Sequence, residues 1–282
     1  MNGDGTMDRE ALAGALEFYR QSGVDLAFDE TPHDRYAESA RPQPAPASAP
    51  VLARAAPPPP PARPRPAPPA ANPALAADAA QIAASAAEQA TGARTLDELR
   101  ARLEAFEGCA LKTTATRLVF EDGNRQARVV FVGEAPGAEE DREGRPFVGR
   151  AGQLLDRMLD AIGLDRTLVY ICNVVPWRPP GNRTPTPQEV AACLPFIRRQ
   201  VELVDPDILV CLGAPSMQML LGVKDGILKT RGLWMPYQTT RTIPAMAMLH
   251  PAYLLRQPAQ KRLAWRDLRA LRRVMDGEMP EM

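Results

Sequence analysis

The stretch ARVVFVGEAPGAEEDREGRPFVG, residues 127–149, joins an apolar strand to a glycine- and proline-rich turn and then to a run of acidic residues. A strand that leads through such a turn into a helix is typical of phosphate-binding sites, because backbone N–H groups and the helix dipole favour an anion. In this chain the same place holds five carboxylates: Glu134, Glu139, Glu140, Asp141 and Glu143. They would repel a phosphate, so we expect the turn to form a pocket for a neutral ligand that becomes charged during a reaction.

The segment beyond residue 110 alternates between apolar runs and helical patterns. Strands are predicted at 128–133, 168–175, 207–213 and 243–249, and the segments between them have apolar residues at helical spacing. Near-continuous apolar strands separated by helices indicate a parallel sheet that is covered on both faces. The predicted fold class is therefore α/β, a three-layer α/β/α sandwich with a central four-stranded, mostly parallel sheet.

Composition limits the class of protein. The chain has 282 residues, of which 45% are hydrophobic and 24% are charged, and its 34 basic residues balance its 34 acidic ones. It has no run of about 18 apolar residues and no signal-peptide pattern, so we expect a cytoplasmic protein without membrane contact. The cysteines form no CxxC pair, which argues against a disulfide framework and a self-evident zinc site: they are Cys109, Cys172, Cys193 and Cys211.

Three parts are predicted along the chain. Residues 1–40 form an N-terminal helical segment with one short amphipathic helix, which either packs on the protein's own body or binds a protein partner. Residues 41–73 are rich in proline and alanine and are predicted to be a disordered, extended linker, with a ligand for an SH3-type domain as the alternative. Residues 74–282 are predicted to form the domain that carries the function.

Polar residues follow the predicted strands at the edge where ligands of such folds bind. Glu134 follows the first strand, Asn173 ends the second, His250 follows the fourth, and the aromatic Phe147 lies on the loop after the first. An aromatic ring, an amide that donates and accepts, and an imidazole together suit a planar nucleobase. Each residue also has a structural alternative, because Asn173 can satisfy turn backbone, Phe147 can belong to the core, and a lone histidine before a proline is often structural.

The segment HPAYLLR, residues 250–256, adds a second predicted feature. An apolar tip followed by a cation can enter a base stack and hold the backbone phosphate. The alternative is that the two leucines begin the next helix and are buried. The helix predicted downstream is either a phosphate-tracking surface or a solvated face, and its basic residues are Lys261, Arg262, Arg266, Arg269, Arg272 and Arg273.

From about Cys109 to Val274 the residues resemble the family 4 uracil-DNA glycosylases of bacteria and archaea. The resemblance is carried by an ordered set of motifs: VFEDGN, GEAPGAEEDREGRPFVGRAGQLLDRML, VYICNVVPWRPPGNRTPTP and HPAYLLR. It implies a uracil-DNA glycosylase-like fold for residues 74–282 and an enzyme that hydrolyses the N-glycosidic bond of deoxyuridine in DNA, which initiates base excision repair. It also accounts for the acidic turn, because uracil is neutral when bound and anionic as it leaves.

The resemblance implies roles for individual residues. The implied catalytic residues are Glu134, which would stabilise the sugar cation or position the attacking water, and His250, which would stabilise negative charge on uracil O2. Phe147 would stack on the base and Asn173 would read its Watson–Crick edge. The full set of implied substrate-binding residues is Gly133, Ala135, Phe147 and Asn173. The predicted DNA-binding residues are Arg178, Arg183, Leu254, Leu255 and Arg256, of which the last three would form a minor-groove wedge.

The predicted partner is uracil-containing DNA, single-stranded or double-stranded, and we expect the protein to be a monomer. Base flipping in duplex DNA costs least at mismatches, which favours uracil opposite guanine. Two alternatives come from other classes of protein. One is a catalytically silent DNA-binding or polymerase-associated module of the same fold. The other is a Rossmann-like nucleotide-binding protein, which the acidic turn and the absence of a GxGxxG motif disfavour.

The family that the chain resembles usually carries a four-iron four-sulfur cluster held by four cysteines. Cys109 and Cys193 stand at two of those positions, whereas Phe106 and Trp177 stand at the other two. Two thiolates cannot hold a cluster that needs four ligands, and the two strand cysteines are poor substitutes. We therefore expect no cofactor, with aromatic packing in place of the cluster. Ligation by a relocated cysteine is the alternative.

Overall fold

The computed structural model describes residues 73–280, with side chains from residue 79 on. The predicted N-terminal helical segment, residues 1–40, and all but the last residue of the predicted linker lie outside the described residues. Every described residue belongs to a compact unit that spans Pro66–Met282, while the boundary at residue 74 stays a prediction. None of the helices in the described part of the chain is long and apolar enough to cross a membrane.

A six-stranded mixed sheet forms the centre of the described domain. The four central strands are parallel, in the spatial order β3-β2-β4-β6. They are the four strands that the sequence predicts, so the central parallel sheet is confirmed. The strands are β1 (Asp122–Gly123), β2 (Val129–Gly133), β3 (Tyr170–Asn173), β4 (Ile208–Leu212), β5 (Trp234–Gln238) and β6 (Thr242–Met248).

The edge strands correct the predicted number of strands. Strand β1 pairs antiparallel with β3, and β5 pairs antiparallel with β6, so the sheet has six strands rather than four. Strand β1 has only two residues, and β5 has Pro236 at its centre with mostly unburied side chains. Proline cannot donate a ladder hydrogen bond and is tolerated only at an edge, so neither segment has the apolar pattern of the central strands.

Helices flank the sheet on both faces. Helix α5 begins with a capping box, in which the Thr186 hydroxyl accepts from the Glu189 N–H and the Glu189 carboxylate accepts from the Thr186 N–H. Thr95 is the N-cap of helix α2, and its hydroxyl accepts from the Glu98 N–H at 3.2 Å. The described helices are α1 (Pro73–Thr91), α2 (Leu96–Ala105), α3 (Ala138–Glu143), α4 (Arg150–Asp160), α5 (Pro187–Val204), α6 (Ala214–Leu221), α7 (Ile227–Thr230), α8 (Pro251–Arg256) and α9 (Lys261–Met275).

Two buried apolar clusters fill the space between the sheet and its helices. Successive residues of β2 point to opposite faces: Val130 and Val132 pack with α1, α2 and α5, whereas Val129 and Phe131 pack with α4, α8 and α9. Both faces are therefore covered, which confirms the predicted three-layer sandwich and explains why the central strands are apolar throughout. The carboxyl edge of the sheet, where the strands end in polar residues, stays accessible.

Candidate active site

The carboxyl ends of the parallel strands bring the predicted pocket residues to one edge of the sheet. Gly133 of β2 is in register with Asn173 of β3, and Leu212 of β4 is in register with Met248 of β6. The chain leaves this edge through Glu134, Asn173 and His250, which line one cavity of about 230 Å³ together with Ala135, Phe147 and Ala252. Gly133 lies directly behind Asn173 and Phe147. The structure thus places all of the predicted catalytic and substrate-binding residues together.

Glu134 faces the cavity with a free acceptor. Its Oε1 atom is buried and has no hydrogen-bond partner among the described residues. Burial raises the pKa of Glu134 above its ordinary value of 4.5, and the neighbouring Thr184 hydroxyl partly offsets this. Leaving a buried carboxylate oxygen unpaired is costly, so Glu134 retains an unused acceptor in a residue that lines the cavity.

The neighbouring carboxylates of the acidic turn are used to hold its backbone. Glu140 also lines the cavity, but its two oxygens accept hydrogen bonds from the N–H groups of Gly137 and Gly149, at 3.0 Å each. The buried Asp141 accepts from two N–H groups of the preceding loop, residues 116–117, at 2.8 and 3.2 Å. These carboxylates therefore stabilise the turn, which favours Glu134 as the one available for chemistry.

His250 is a neutral hydrogen-bond donor in this site. It precedes α8, and its Nδ1 accepts a hydrogen bond from the Ala252 N–H at 3.1 Å. A neutral imidazole that accepts at Nδ1 carries its proton on Nε2. Burial, with a smaller contribution from the positive charge of Arg256, lowers the pKa of His250 to about 4. The ring therefore keeps a donor at Nε2 without carrying a charge at neutral pH.

Phe147 is held beside His250 in an unusual backbone conformation. The two rings stack with centroids 5.5 Å apart and planes inclined by 28°. Phe147 has a φ angle of 54°, in the left-handed region that bulky side chains rarely adopt. The Arg166 guanidinium donates to the Phe147 carbonyl oxygen and is itself fixed by Asp122 and Asp156. Arg166 therefore positions the aromatic ring from outside the cavity.

The packing around Asn173 requires glycine at position 133. Asn173 is 5% exposed, so its amide is held in the floor of the site. A Cβ atom on Gly133 would meet the Asn173 Oδ1 atom and would lie 2.7 Å from the Phe147 ring. Gly133 thus allows the amide and the aromatic ring to approach each other closely.

The two arginines of the loop before α5 are already engaged within the chain. Arg183 donates two hydrogen bonds to the Glu189 carboxylate, at 2.7 and 2.8 Å, which lowers the pKa of Glu189 to about 2. Arg178 donates to the Asn182 side chain at 2.8 Å. Both residues stabilise the loop that forms one wall of the cavity, and their contact with DNA stays a prediction.

The structure corrects the predicted wedge. Leu254 is 1% exposed and packs in the apolar cluster beneath α4 and α9, so the prediction that it enters a base stack is wrong for this conformation. It lies on the inner face of α8, as the structural alternative proposes. Leu255 is 36% exposed and Arg256 is exposed, so these two residues of α8 are accessible to a ligand.

The cysteines at two of the cluster positions contact each other instead of surrounding a cavity. The Cys109 and Cys193 sulfurs are 3.8 Å apart and both residues are buried. The Phe106 ring packs on Phe196 with centroids 5.1 Å apart, and Trp177 is 3% exposed in the same apolar cluster. Two sulfurs in contact leave no room between them for a four-iron four-sulfur cluster, and two thiolates are too few to ligate it. These residues do not fit the cluster.

The other two cysteines lie inside the sheet. Cys172 belongs to β3 and Cys211 to β4, the strands in which the sequence places them, and both are 0% exposed. Burial raises the pKa of each thiol, so both stay protonated. Within residues 73–280 there is no group of three or more His, Cys, Asp or Glu side chains that could hold a metal ion.

Sequence reasoning missed two residues that shape the site. Thr184 lies against Glu134. It belongs to the motif VYICNVVPWRPPGNRTPTP, and this position is the signal that could have identified it. Arg166 lies 19 residues beyond Phe147, in a segment without any motif. No local pattern connects it with the aromatic ring.

Comparisons with known proteins agree with this arrangement. A family model described as "Uracil DNA glycosylase superfamily" matches residues 120–269. The type-4 uracil-DNA glycosylase of Thermotoga maritima is 47% identical over 156 residues, which cover 55% of this chain and 80% of that protein. The type-4 uracil-DNA glycosylase of Archaeoglobus fulgidus is 37% identical over 193 residues, which cover 67% of this chain and 97% of that protein. A DNA polymerase of Bacillus phage SP01 is 31% identical over 160 residues, which cover 56% of this chain and 17% of the polymerase.

Proposed function

Because this chain belongs to the uracil DNA glycosylase superfamily, we propose that it hydrolyses the N-glycosidic bond of deoxyuridine in DNA, releasing uracil and leaving an abasic site. The family match and the two type-4 relatives confirm the family and the enzyme class that the motifs predict. The observation that carries the reaction is the convergence of Asn173, Phe147, His250 and the unpaired oxygen of Glu134 on one cavity. Base excision repair begins at the abasic site that such an enzyme leaves.

Base recognition follows from the chemistry of the pocket. Uracil presents an N3–H donor beside the O4 acceptor, and one side-chain amide can accept from the first and donate to the second. Cytosine reverses both groups, so the same Asn173 orientation leaves a donor facing a donor. The Phe147 ring, fixed at its backbone by Arg166, offers the flat surface on which the flipped base stacks.

His250 stabilises the leaving group. As the glycosidic bond breaks, electrons move onto the uracil ring and negative charge develops at O2. The Nε2–H of His250 donates to that oxygen, and a fixed donor in a site shielded from water stabilises the transition state more than the bound substrate. A neutral imidazole suits this role, because it keeps its proton while the developing anion is bound.

Glu134 acts on the sugar side of the bond. Departure of uracil leaves positive charge on the deoxyribose, and a carboxylate next to it stabilises that charge and accepts a proton from the attacking water. The water oxygen then bonds to C1′ as the C1′–N1 bond is broken, and the proton taken up by Glu134 passes through solvent to the released uracil anion, which regenerates the carboxylate. The unpaired Oε1 atom of Glu134 supports this role for Glu134. The neighbouring Glu140 is less suited to it, because both of its carboxylate oxygens already accept hydrogen bonds from backbone N–H groups.

These assignments predict the pH dependence of excision. Glu134 must be ionised, and burial raises its pKa, so the single-turnover rate should fall with decreasing pH from above the ordinary carboxyl range. The pKa of His250 is about 4, so no inflection is expected near the ordinary histidine value of 6.5. Rates measured from about pH 4 to 9 check this. In Glu134→Gln the slow remaining rate should lose the limb that Glu134 causes and should change only near pH 4, where His250 becomes protonated. An inflection near 6.5 that persists in this variant would contradict the assignment of His250.

Close packing behind the pocket gives a second prediction. Gly133→Ala should lower the excision rate about 100-fold, because the added methyl group displaces the Asn173 amide or the Phe147 ring by a fraction of an ångström or more. The matched control is Gly226→Ala, where a Cβ atom would meet nothing within 4 Å. Far-UV circular dichroism establishes that both variants are folded. Equal rates for the two alanine variants would contradict the packing argument.

Contacts with DNA at the rim are part of the proposal. Leu255 and Arg256 are exposed on α8, the helix that follows His250, so Leu255 can fill the space that the flipped nucleotide leaves while Arg256 holds a phosphate. Because unpaired bases need not be extruded from a stack, single-stranded DNA and uracil–guanine mismatches should be processed faster than uracil–adenine pairs.

We propose that the domain contains no iron–sulfur cluster. The Cys109 and Cys193 sulfurs contact each other, and the Phe106–Phe196 pair and Trp177 fill the space around them. This apolar packing joins the segment after α2 to helix α5, which is the connection that a cluster between these segments would make.

The decisive experiment uses a labelled oligonucleotide with a single deoxyuridine, single-stranded and opposite guanine or adenine. The expected result is an alkali-labile abasic site at that position, with no cleavage of matched oligonucleotides that contain thymine or cytosine. Folded wild-type protein that binds the uracil-containing DNA and produces no abasic site would favour a second candidate, a DNA-binding module without catalysis. The identity with part of a phage DNA polymerase is the observation that favours this second candidate.

A further inference from the structure

The segment that contains helices α8 and α9 has a net positive charge, most of it on α9. Between His250 and Met275 the sequence has seven basic residues and one acidic residue, although the whole chain has no net charge. The acidic residue, Asp267, is 1% exposed and is bound by Arg231. The positive charge of the exposed face of α9 is therefore not balanced from within the helix.

The basic side chains form one stripe. Arg262, Arg266, Arg269 and Arg273 are four, three and four residues apart, which places them on one face of a helix, and all are exposed. The opposite face packs Ala264, Leu268 and Leu271 in the core. Within the described part of the chain, the side chains of the first three arginines of the stripe form no ion pair or hydrogen bond, whereas the Arg273 side chain lies 3.7 Å from the Glu278 carboxylate.

The stripe begins beside the proposed DNA rim. A single 3₁₀ turn, Pro258–Gln260, connects the end of α8 at Arg256 to the start of α9 at Lys261. Lys261 and Trp265 of α9 line an apolar groove together with Leu254 of α8. Arg256 and the first arginine of the stripe, Arg262, are therefore separated by only this short connection in the chain.

We propose that the α9 stripe binds the phosphate backbone of DNA that flanks the target nucleotide. This inference rests on the proposed function, since it extends the same DNA-binding surface. A helix of 15 residues is about 22 Å long, which corresponds to about six phosphates along one strand. Arginine is well suited to the contact, because its guanidinium donates to two phosphate oxygens at once. With no net charge on the chain, a local surface of this kind supplies the electrostatic attraction to DNA.

The test is a charge-matched comparison of two triple variants. The first is Arg262→Gln/Arg266→Gln/Arg269→Gln. The control is Arg94→Gln/Arg100→Gln/Arg198→Gln, which changes the net charge by the same amount. These three arginines are also exposed, and they belong to the helical layer on the opposite face of the sheet. Binding is measured on duplexes of about 10 and about 30 base pairs that carry a stable abasic-site analogue, between about 50 and 200 mM NaCl.

On the long duplex, the stripe variant should bind about tenfold or more weakly, and the slope of log affinity against log salt should decrease by about 2 to 3 in magnitude. On the short duplex the loss should be smaller, because about five base pairs on each side of the target offer fewer flanking phosphates to the stripe, and the control should match the wild type on both. Wild-type binding and slope on the long duplex would overturn the proposal and favour an acidic protein as the partner of this face. Equal losses on both duplexes would place the contacts next to the target nucleotide and overturn the assignment to flanking DNA.

The proposed function is scored separately on a short duplex that contains deoxyuridine. Absence of excision by the wild type would refute the glycosylase activity, and the salt slope on the long duplex would still decide the role of α9. If the stripe variant excises uracil from the short duplex at the wild-type rate, its fold and pocket are intact, and any loss on long DNA belongs to the surface.

Discussion

His250→Ala should excise uracil about 10²- to 10³-fold more slowly than the wild type while binding DNA within a few-fold of it. The reason is that the Nε2–H donor contributes mainly when negative charge has developed on O2, and little in the bound substrate. The measurement is a single-turnover rate with enzyme in excess, because this isolates bond cleavage from product release. An equilibrium binding curve on an uncleavable duplex gives the other half of the prediction.

Two further variants separate the role of His250 from its structural contacts. His250→Gln retains an amide donor and should recover part of the rate, because its charge state and approximate reach are similar. Asn173→Ala should weaken the recognition of uracil while leaving His250 in place. A rate for His250→Ala within threefold of the wild type, in folded protein, would show that another group stabilises the leaving uracil.

Much of the fold follows from the sequence, because the central strands have to be apolar. Strands β2 and β4 are covered on both faces, so nearly every residue in them is aliphatic, and the pattern is visible without a structure. The same geometry places the residues after parallel strands at one edge, which is why Glu134, Asn173 and His250 are found together. Strand β5 escaped prediction because edge strands tolerate proline and exposed side chains.

The roles of individual polar residues depend on contacts that a linear pattern does not contain. The acidic turn has several carboxylates of similar appearance, and only their hydrogen bonds separate Glu140, with both oxygens occupied, from Glu134. In the same way, adjacent residues of a helix point about 100° apart. Of the two leucines of α8, Leu254 is therefore buried and Leu255 exposed. The bracing of Phe147 by Arg166 is a tertiary contact between loops, and no spacing rule predicts it.

Trp177→Ala should lower the free energy of unfolding by about 3 to 5 kcal/mol, because it removes a large aromatic side chain from a closely packed cluster. For a domain of this size that corresponds to a decrease in melting temperature of about 10 °C. The matched control is Trp265→Ala, because Trp265 is 45% exposed and its removal leaves no buried cavity. Denaturant unfolding of both variants, followed by far-UV circular dichroism, measures the difference.

Iron content decides what the lost stability means. If aromatic packing joins the segment after α2 to α5, wild-type protein prepared without oxygen should be colourless at about 400 nm and should contain far less iron than the four atoms of a cluster. The loss in Trp177→Ala then belongs to packing alone, since the Cys109 and Cys193 sulfurs already contact each other. A wild-type preparation with about four irons per chain and broad absorbance at about 400 nm would refute this, because a relocated cysteine would then have to complete the ligand set.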